Sequence, residues 1–236
     1  MNYSWASATS VGHVRETNED SLFPNADGQG HGPTVVAIAD GMGGAVAGEV
    51  ASRLAIEAAT AVDDGLARAR VADGNRAVIE ATEKDVSLAG MGTTLTLGIF
   101  HPDGSLELAH VGDSRAYLLR GGQLDQITTD HTVVAEMVAR GSITADEAAV
   151  HHSRHLLTRV LGMPDIAIDN HEVALLPGDR VMLCSDGLTG MVPDDRIADL
   201  LRAAADATEG AWSLVEAANA AGGLDNTTVA VVDVAP

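Results

Sequence analysis

Between residues 93 and 112 two apolar, strand-like runs, TTLTLGIF and SLELAHVG, are separated only by His101, Pro102, Asp103 and Gly104. Four residues cannot carry the chain back to start a parallel neighbour, so the runs must pair antiparallel across an Asp-Gly turn. The pattern repeats at once: RAYLLR (115–120) and QLDQIT (123–128) flank Gly121 and Gly122, a second hairpin. The middle of the chain is therefore an antiparallel meander.

Other strand-length segments lie towards both ends: residues around Tyr3, Trp5 and Ala8, then TVVAIAD (34–40), 166–175, 180–184 and TTVAVVDV (227–234). Residues 48–70 carry apolar Val50, Leu54, Ala58 and Val62 at helical spacing. Asp73, Gly74 and Asn75 punctuate that run before a second helix continues towards Lys84. Further helices are expected at 132–140, 194–205 and 211–221, and an irregular basic, histidine-containing region at 141–162. Hairpin-built strands with helices inserted in pairs predict an α+β fold, two antiparallel sheets covered by helices. No repeat, low-complexity tract or Pro-rich linker interrupts the 236 residues, so residues 1–236 are read as a single domain.

Lys and Arg number 14 against 34 Asp and Glu, a formal charge of −20. A polyanion would be repelled, which argues against nucleic acid and for cations as partners. The lone thiol, Cys184, cannot form an internal disulfide and fits a reducing compartment. The N-terminal MNYSWASATS has neither the basic nor the apolar region of a signal peptide, and no run of 18 apolar residues exists. The expectation is a cytoplasmic protein with no membrane partner.

The acidic residues fall where strands end. Asp40 closes TVVAIA, Asp113 follows SLELAHVG, Asp186 follows RVMLCS, and Asp225 precedes the last strand. Taken singly, Asp-Gly is a turn dipeptide, and Asp27, Asp73 and Asp103 read as no more than that. Asp40 in ADGMGG and Asp186 in CSDGL join no obvious hairpin strands, so their carboxylates are free for another task. If the sheets bring these ends together, the carboxylates repel unless cations lie between them, and hard oxygen donors select Mg²⁺ or Mn²⁺ over zinc.

Rival motifs fail on spacing. After Gly41 and Gly43 a dinucleotide fingerprint would need glycine where Val46 stands, and Asp40 would confront the pyrophosphate. There is no phosphate-binding G-x-x-x-x-G-K-[ST] loop. A cysteine phosphatase needs Arg six residues beyond its nucleophile; Cys184 has Gly190 there, and reads as a core thiol.

The segments RETNED (15–20), ADGMGG (39–44), GE-AS (48–52), MGTT (91–94), VGDSRAY (111–117), TDHT (129–132), LTRVLG (157–162), CSDGL (184–188) and DNTTV (225–229) occur in this order. Together they make the chain resemble the bacterial type 2C metal-dependent protein phosphatases of the PPM family, nearly end to end. The resemblance implies an αββα sandwich with two, in some members three, Mg²⁺ or Mn²⁺ ions at one end. It implies that Asp40 bridges the metals, Gly41 contributes its carbonyl, and Asp186 and Asp225 complete one shell. Glu19 and Asp20 then act through metal-bound water, and Asp113 with Asp186 holds a third ion. Arg15 matches the phosphate-binding arginine, whose planar fork suits two phosphate oxygens. The implied chemistry is in-line attack on phosphoserine or phosphothreonine by a hydroxide generated between the ions, so the catalytic set is Arg15, Asp40 and Asp186.

Two positions depart from the family pattern. Histidines expected near ADGMGG are replaced by Met42 and Ala45, which leaves His131 or a metal-bound water as proton donor to the leaving group. Residues 141–162 correspond to the family's flap. His151 and His152 are adjacent and cannot share a face, so a solvated loop is favoured over a zinc site there. The expectation is a monomeric Ser/Thr protein phosphatase acting on phosphoproteins and opposing Ser/Thr protein kinases. The alternative is a catalytically weak module on the same fold that senses phosphoproteins or metals.

Overall fold

The computed structural model describes residues 1–43, 47–61 and 65–235. Among these, one sheet runs in the order β3 (Gly28–Gly30), β1 (Asn2–Ser10), β12 (Thr227–Ala235), β11 (Arg180–Cys184), β8 (Arg115–Arg120), β9 (Gln123–Gln126). The other runs β10 (Asp169–Ala174), β7 (Ser105–Val111), β6 (Leu95–Phe100), β4 (Thr34–Met42), β2 (Asp20–Phe23), with β5 (Gly92–Thr93) pairing on β4. Both sheets are antiparallel throughout, and the two hairpins expected in the middle of the chain are formed by β6–β7 and β8–β9.

Side-chain alternation explains why the sheets stack. In β12, Ala230, Val232 and Val234 face the other sheet while Val229 and Val231 face away; in β11, Val181 and Leu183 face in, Met182 and Cys184 out. Opposite them, Val36 and Ile38 of β4 face in while Ala37 and Ala39 face out. The inner faces bury Tyr3, Phe100, Leu106 and Leu108 between them. Each outer face is covered by a helix pair: α1 (Ala47–Thr60) and α2 (Ala67–Lys84) on the second sheet, α6 (Asp194–Ala203) and α7 (Ala207–Ala220) on the first. The result is the αββα sandwich. Removing a fully buried side chain such as Leu183 costs about 2–5 kcal/mol.

The helical run expected over 48–70 is two helices. α1 ends at Thr60 and α2 begins at Ala67, while Val62 lies outside the described residues. Asp73-Gly74-Asn75 does not break a helix but sits inside α2. A Cβ on Gly74 would lie 3.0 Å from the Ala55 carbonyl oxygen, so glycine lets the two helices approach. The strand expected at 166–175 shortens to β10, because Ile166 and Ile168 pack onto the α1/α2 core instead of pairing. α7 starts earlier than expected, at Ala207, since Asp206 caps it by accepting from the Glu209 amide. The flap region is partly helical. α3 (Val133–Ala139) is followed by the short α4 (Ala145–Ala149), held by a Thr144–Glu147 capping box.

Candidate metal centre

Antiparallel register places Asp20, the first residue of β2, directly across from Asp40 in β4. Asp40 does not end its strand as expected: β4 continues to Met42, with Gly41 and Met42 paired to β5. From the first sheet, Asp186 follows β11 and opens the short helix α5 (Asp186–Thr189), and Asp225 precedes β12. Asp113 lies in the turn between β7 and β8. Carboxylates carried by both sheets therefore converge at one end of the sandwich. Ser185 binds the two sides together, its Oγ donating to Asp20 Oδ2 at 2.8 Å and accepting from the Thr228 amide.

The electrostatics record that crowding. Burial, then the charges of Asp20, Asp186 and Asp113, hold the Asp40 carboxyl well above the ordinary carboxylate range. Burial pushes Asp20 up to about 7, with Asp186 and Asp225 adding to it against hydrogen bonds from Thr228 and Ser185. Asp113 is pushed up to about 8 by burial and then by Asp186. Asp186 is raised by burial and by Asp225. Glu19 Oε1 and Asp20 Oδ1 are buried with no hydrogen-bond partner. Acceptor-only oxygens left unpaired inside a protein are costly unless a cation meets them, so this donor set fits hard divalent ions.

The backbone around these groups is locked. Thr94 Oγ1 accepts from the Asp40 amide, and the Asp40 carbonyl accepts from Thr94 N and Thr93 Oγ1. The Gly41 amide donates to the Glu19 carbonyl at 3.1 Å. A Cβ at Gly41 would lie 2.1 Å from the Gly48 carbonyl oxygen, and one at Gly48 would lie 2.8 Å from Glu19 Oε1; both must be glycine. Asn226 accepts from the Glu19 amide and donates to the Val11 and Thr17 carbonyls, fixing the loop that carries Arg15. Arg15 is half-exposed, and Nη2 donates to Asp225 Oδ2 at 2.7 Å. It does not pair with Glu16 or Glu19, its nearer acidic neighbours in sequence.

Ser185, Thr93, Thr94 and Asn226 are the positioning residues that sequence reasoning did not single out. All four lie inside the motifs CSDGL, MGTT and DNTTV; their hydroxyl or amide groups beside the aspartates were the available signal. His131 is buried with both ring nitrogens engaged: Nδ1 accepts from the Gly112 amide at 3.0 Å, and Nε2 lies 3.2 Å from Asp169 Oδ2. Met42 offers no proton, and Ala45 lies outside the described residues. His151 and His152 stack with ring centroids 4.3 Å apart, although sequence adjacency suggested that they would diverge. His155 stands nearer the centre, Nδ1 4.0 Å from Asp186 Oδ2.

Paired sheets, flanking helices and a carboxylate cluster shared by both sheets give the architecture of a metal-dependent phosphatase domain, and residues 9–225 match the family model described as Protein phosphatase 2C. The chain belongs to that family. It is 42% identical over 238 residues to the serine/threonine protein phosphatase PstP of Mycobacterium tuberculosis, an alignment covering 98% of this chain and 45% of PstP. The chain thus spans less than half the length of that relative. It is 36% identical to the serine/threonine phosphatase stp of Listeria welshimeri, covering 95% of this chain and 93% of stp. A crystal structure of the PstP catalytic domain in complex with two manganese ions superposes with a TM-score of 0.88 at 40% identity, covering 100% of this chain and 99% of that one.

Proposed function

We propose that this chain hydrolyses phosphoserine and phosphothreonine in proteins in a reaction that depends on Mg²⁺ or Mn²⁺. The observation that carries the reading is the convergence of Asp20, Asp40, Asp113, Asp186 and Asp225 on one end of the sandwich, with orphaned Glu19 and Asp20 oxygens among them. Asp40, Asp186, Asp225 and the Gly41 carbonyl would hold two ions, with Glu19 and Asp20 supporting them and Asp113 with Asp186 serving a third. Divalent ions bound there neutralise the carboxylates and supply an acidified water for attack on phosphorus.

The protein's own groups do the rest. Arg15, at the rim beside Asp225, orients the phosphate through two N–H donors and favours the charge that spreads over its oxygens during transfer. Ser185 and Thr94 keep Asp20 and Asp40 in place while the substrate turns over. We further infer one catalytic unit over residues 1–236, acting as a monomer on phosphoproteins that cytoplasmic Ser/Thr kinases have modified. Among the described residues no helix is long and apolar enough to cross a membrane. The sensing-module alternative has no observation in its favour that the hydrolytic reading does not also explain.

The test is hydrolysis of a phosphothreonine peptide and of p-nitrophenyl phosphate with Mn²⁺ and after exhaustive EDTA treatment. Turnover with metal and none without is expected; undiminished turnover in EDTA overturns the reading.

A further inference from the structure

Beyond Asp113 and Asp186 the metal end opens into a groove of about 720 Å³ that runs beneath the flap. One wall consists of small apolar side chains, among them Val134, Ala135 and Val138 of α3 and Ala148 of α4. Arg115 lies in the groove but is engaged, with Nε and Nη2 donating to Asp130. Arg154 and His155 also line the groove and are exposed, with His155 Nδ1 4.0 Å from Asp186 Oδ2. Arg154 forms no ion pair among the described residues, whereas Arg15 at the carboxylate cluster and Arg115 in the groove are paired with Asp225 and Asp130.

Arg68 and Arg196 likewise form no ion pair among the described residues, but of the three only Arg154 lines this groove. With 34 acidic and 14 basic residues the overall field repels anions. An acidic substrate could settle beside Asp186 only where local cations offset that field. The small side chains of that wall leave room for a polypeptide backbone. Arg–carboxylate and Arg–phosphate pairing is the usual way a shallow groove reads an acidic motif.

We infer that Arg154 and His155 form a subsite for an acidic or second phosphorylated side chain flanking the phosphoresidue, with the neighbouring substrate backbone lying along the α3–α4 wall. The inference rests on the phosphatase reading above and names the substrate class of that site: phosphopeptides carrying a further negative charge. Arg154 is a solvent-facing side chain, so its substitution is compatible with folding.

The experiment uses the full chain with Mn²⁺ and phosphothreonine peptides identical except for Glu or Gln at each position from three before to three after the phosphoresidue. A preference for Glu of about fivefold in kcat/KM, carried mainly by KM, is expected at one or two of those positions, the size of one exposed charge pair. Raising salt to 0.5 M shrinks it, since such contacts are screened. Arg154→Gln brings the Glu/Gln ratio towards one, and Arg154→Glu inverts it. A peptide with a second phosphothreonine at the preferred position shows the larger ratio. Equal rates for all Glu and Gln peptides, or a preference untouched by both Arg154 variants, overturn this inference and leave the phosphatase reading standing. No hydrolysis of any peptide overturns the phosphatase reading itself.

Discussion

Arg15 and Asp225, 210 positions apart in the chain, are joined by a hydrogen bond of 2.7 Å from Nη2 to Oδ2. The guanidinium that would hold phosphate is thus already fastened to a residue that would hold metal, and one ion pair positions both functions. Arg15→Ala should weaken inhibition by inorganic phosphate and lower kcat/KM by about 10- to 100-fold, the worth of charge-assisted hydrogen bonds. Arg15→Lys should recover only part, because an ammonium lacks the planar fork. Phosphate inhibition of p-nitrophenyl phosphate turnover measures it. An inhibition constant unchanged in both variants would show Arg15 to be an ordinary surface charge.

Asp40 stands in register with Asp20 and shares the buried field of Asp113 and Asp186. Without metal this crowding costs stability; with metal it is the source of binding. Asp40→Asn should therefore raise the melting temperature in EDTA, by ~2–4 °C for each kcal/mol of repulsion relieved in a chain of this size. The same variant should lose both turnover and the Mn²⁺-induced rise in melting temperature. Thermal unfolding with and without Mn²⁺ reads both effects, and a variant still stabilised by Mn²⁺ as the parent is would remove Asp40 from the metal set.

His110 is wholly buried beside His131, with Nδ1 2.9 Å from Thr96 Oγ1. Burial first, and the neighbouring His131 second, push its pKa down to about 3, against 6.5 in an unfolded chain. Between those two values the unfolded state takes up a proton that the folded state refuses. The stability is intact above about pH 6.5 and is lost as pH falls, at up to ~1.4 kcal/mol per pH unit for this one group. His110→Gln should flatten that decline. Urea unfolding in EDTA at pH 7.5, 6 and 5 tests it, and identical slopes for parent and variant would refute it.

Phosphoserine departs as an alkoxide that needs a proton, whereas p-nitrophenolate does not. Met42 provides none, and the nitrogens of His131 are committed to Gly112 and Asp169. The chain should lag on phosphopeptides relative to p-nitrophenyl phosphate, within the ~10²- to 10⁴-fold that acid assistance is worth. His131→Ala should lower stability and leave the ratio of the two rates alone. A selective loss of phosphopeptide turnover in that variant would make His131 the proton donor.

The hairpins and the strand-end aspartates other than Asp40 were legible because turn chemistry and two-residue periodicity are local. The α1–α2 break was not: alanine-rich sequence keeps helical spacing on both sides of it. Gly74 misled for a related reason, since a glycine needed for helix contact looks like a glycine needed for a turn. β2 escaped notice because DSLF is four residues long and acquires its strand character from pairing with β4. Arg15's partner was invisible for want of any sequence signal across 210 positions, and nearer acids looked more natural. The motif resemblance named the carboxylates, but only the register of β2 on β4 and the reach of Ser185 show how they are brought together.

β1 and β12 are adjacent strands, with Asn2 opposite Ala235 and Ser10 opposite Thr227. Apart from Asp113, the carboxylates reach the metal end from residues 19–40 on one side of the sequence and 186–225 on the other. During translation the first group emerges from the ribosome long before its counterpart, and β1 must wait for β12 before it can pair along its length. A growing chain therefore carries half of the carboxylate cluster until residues 225–235 have been made.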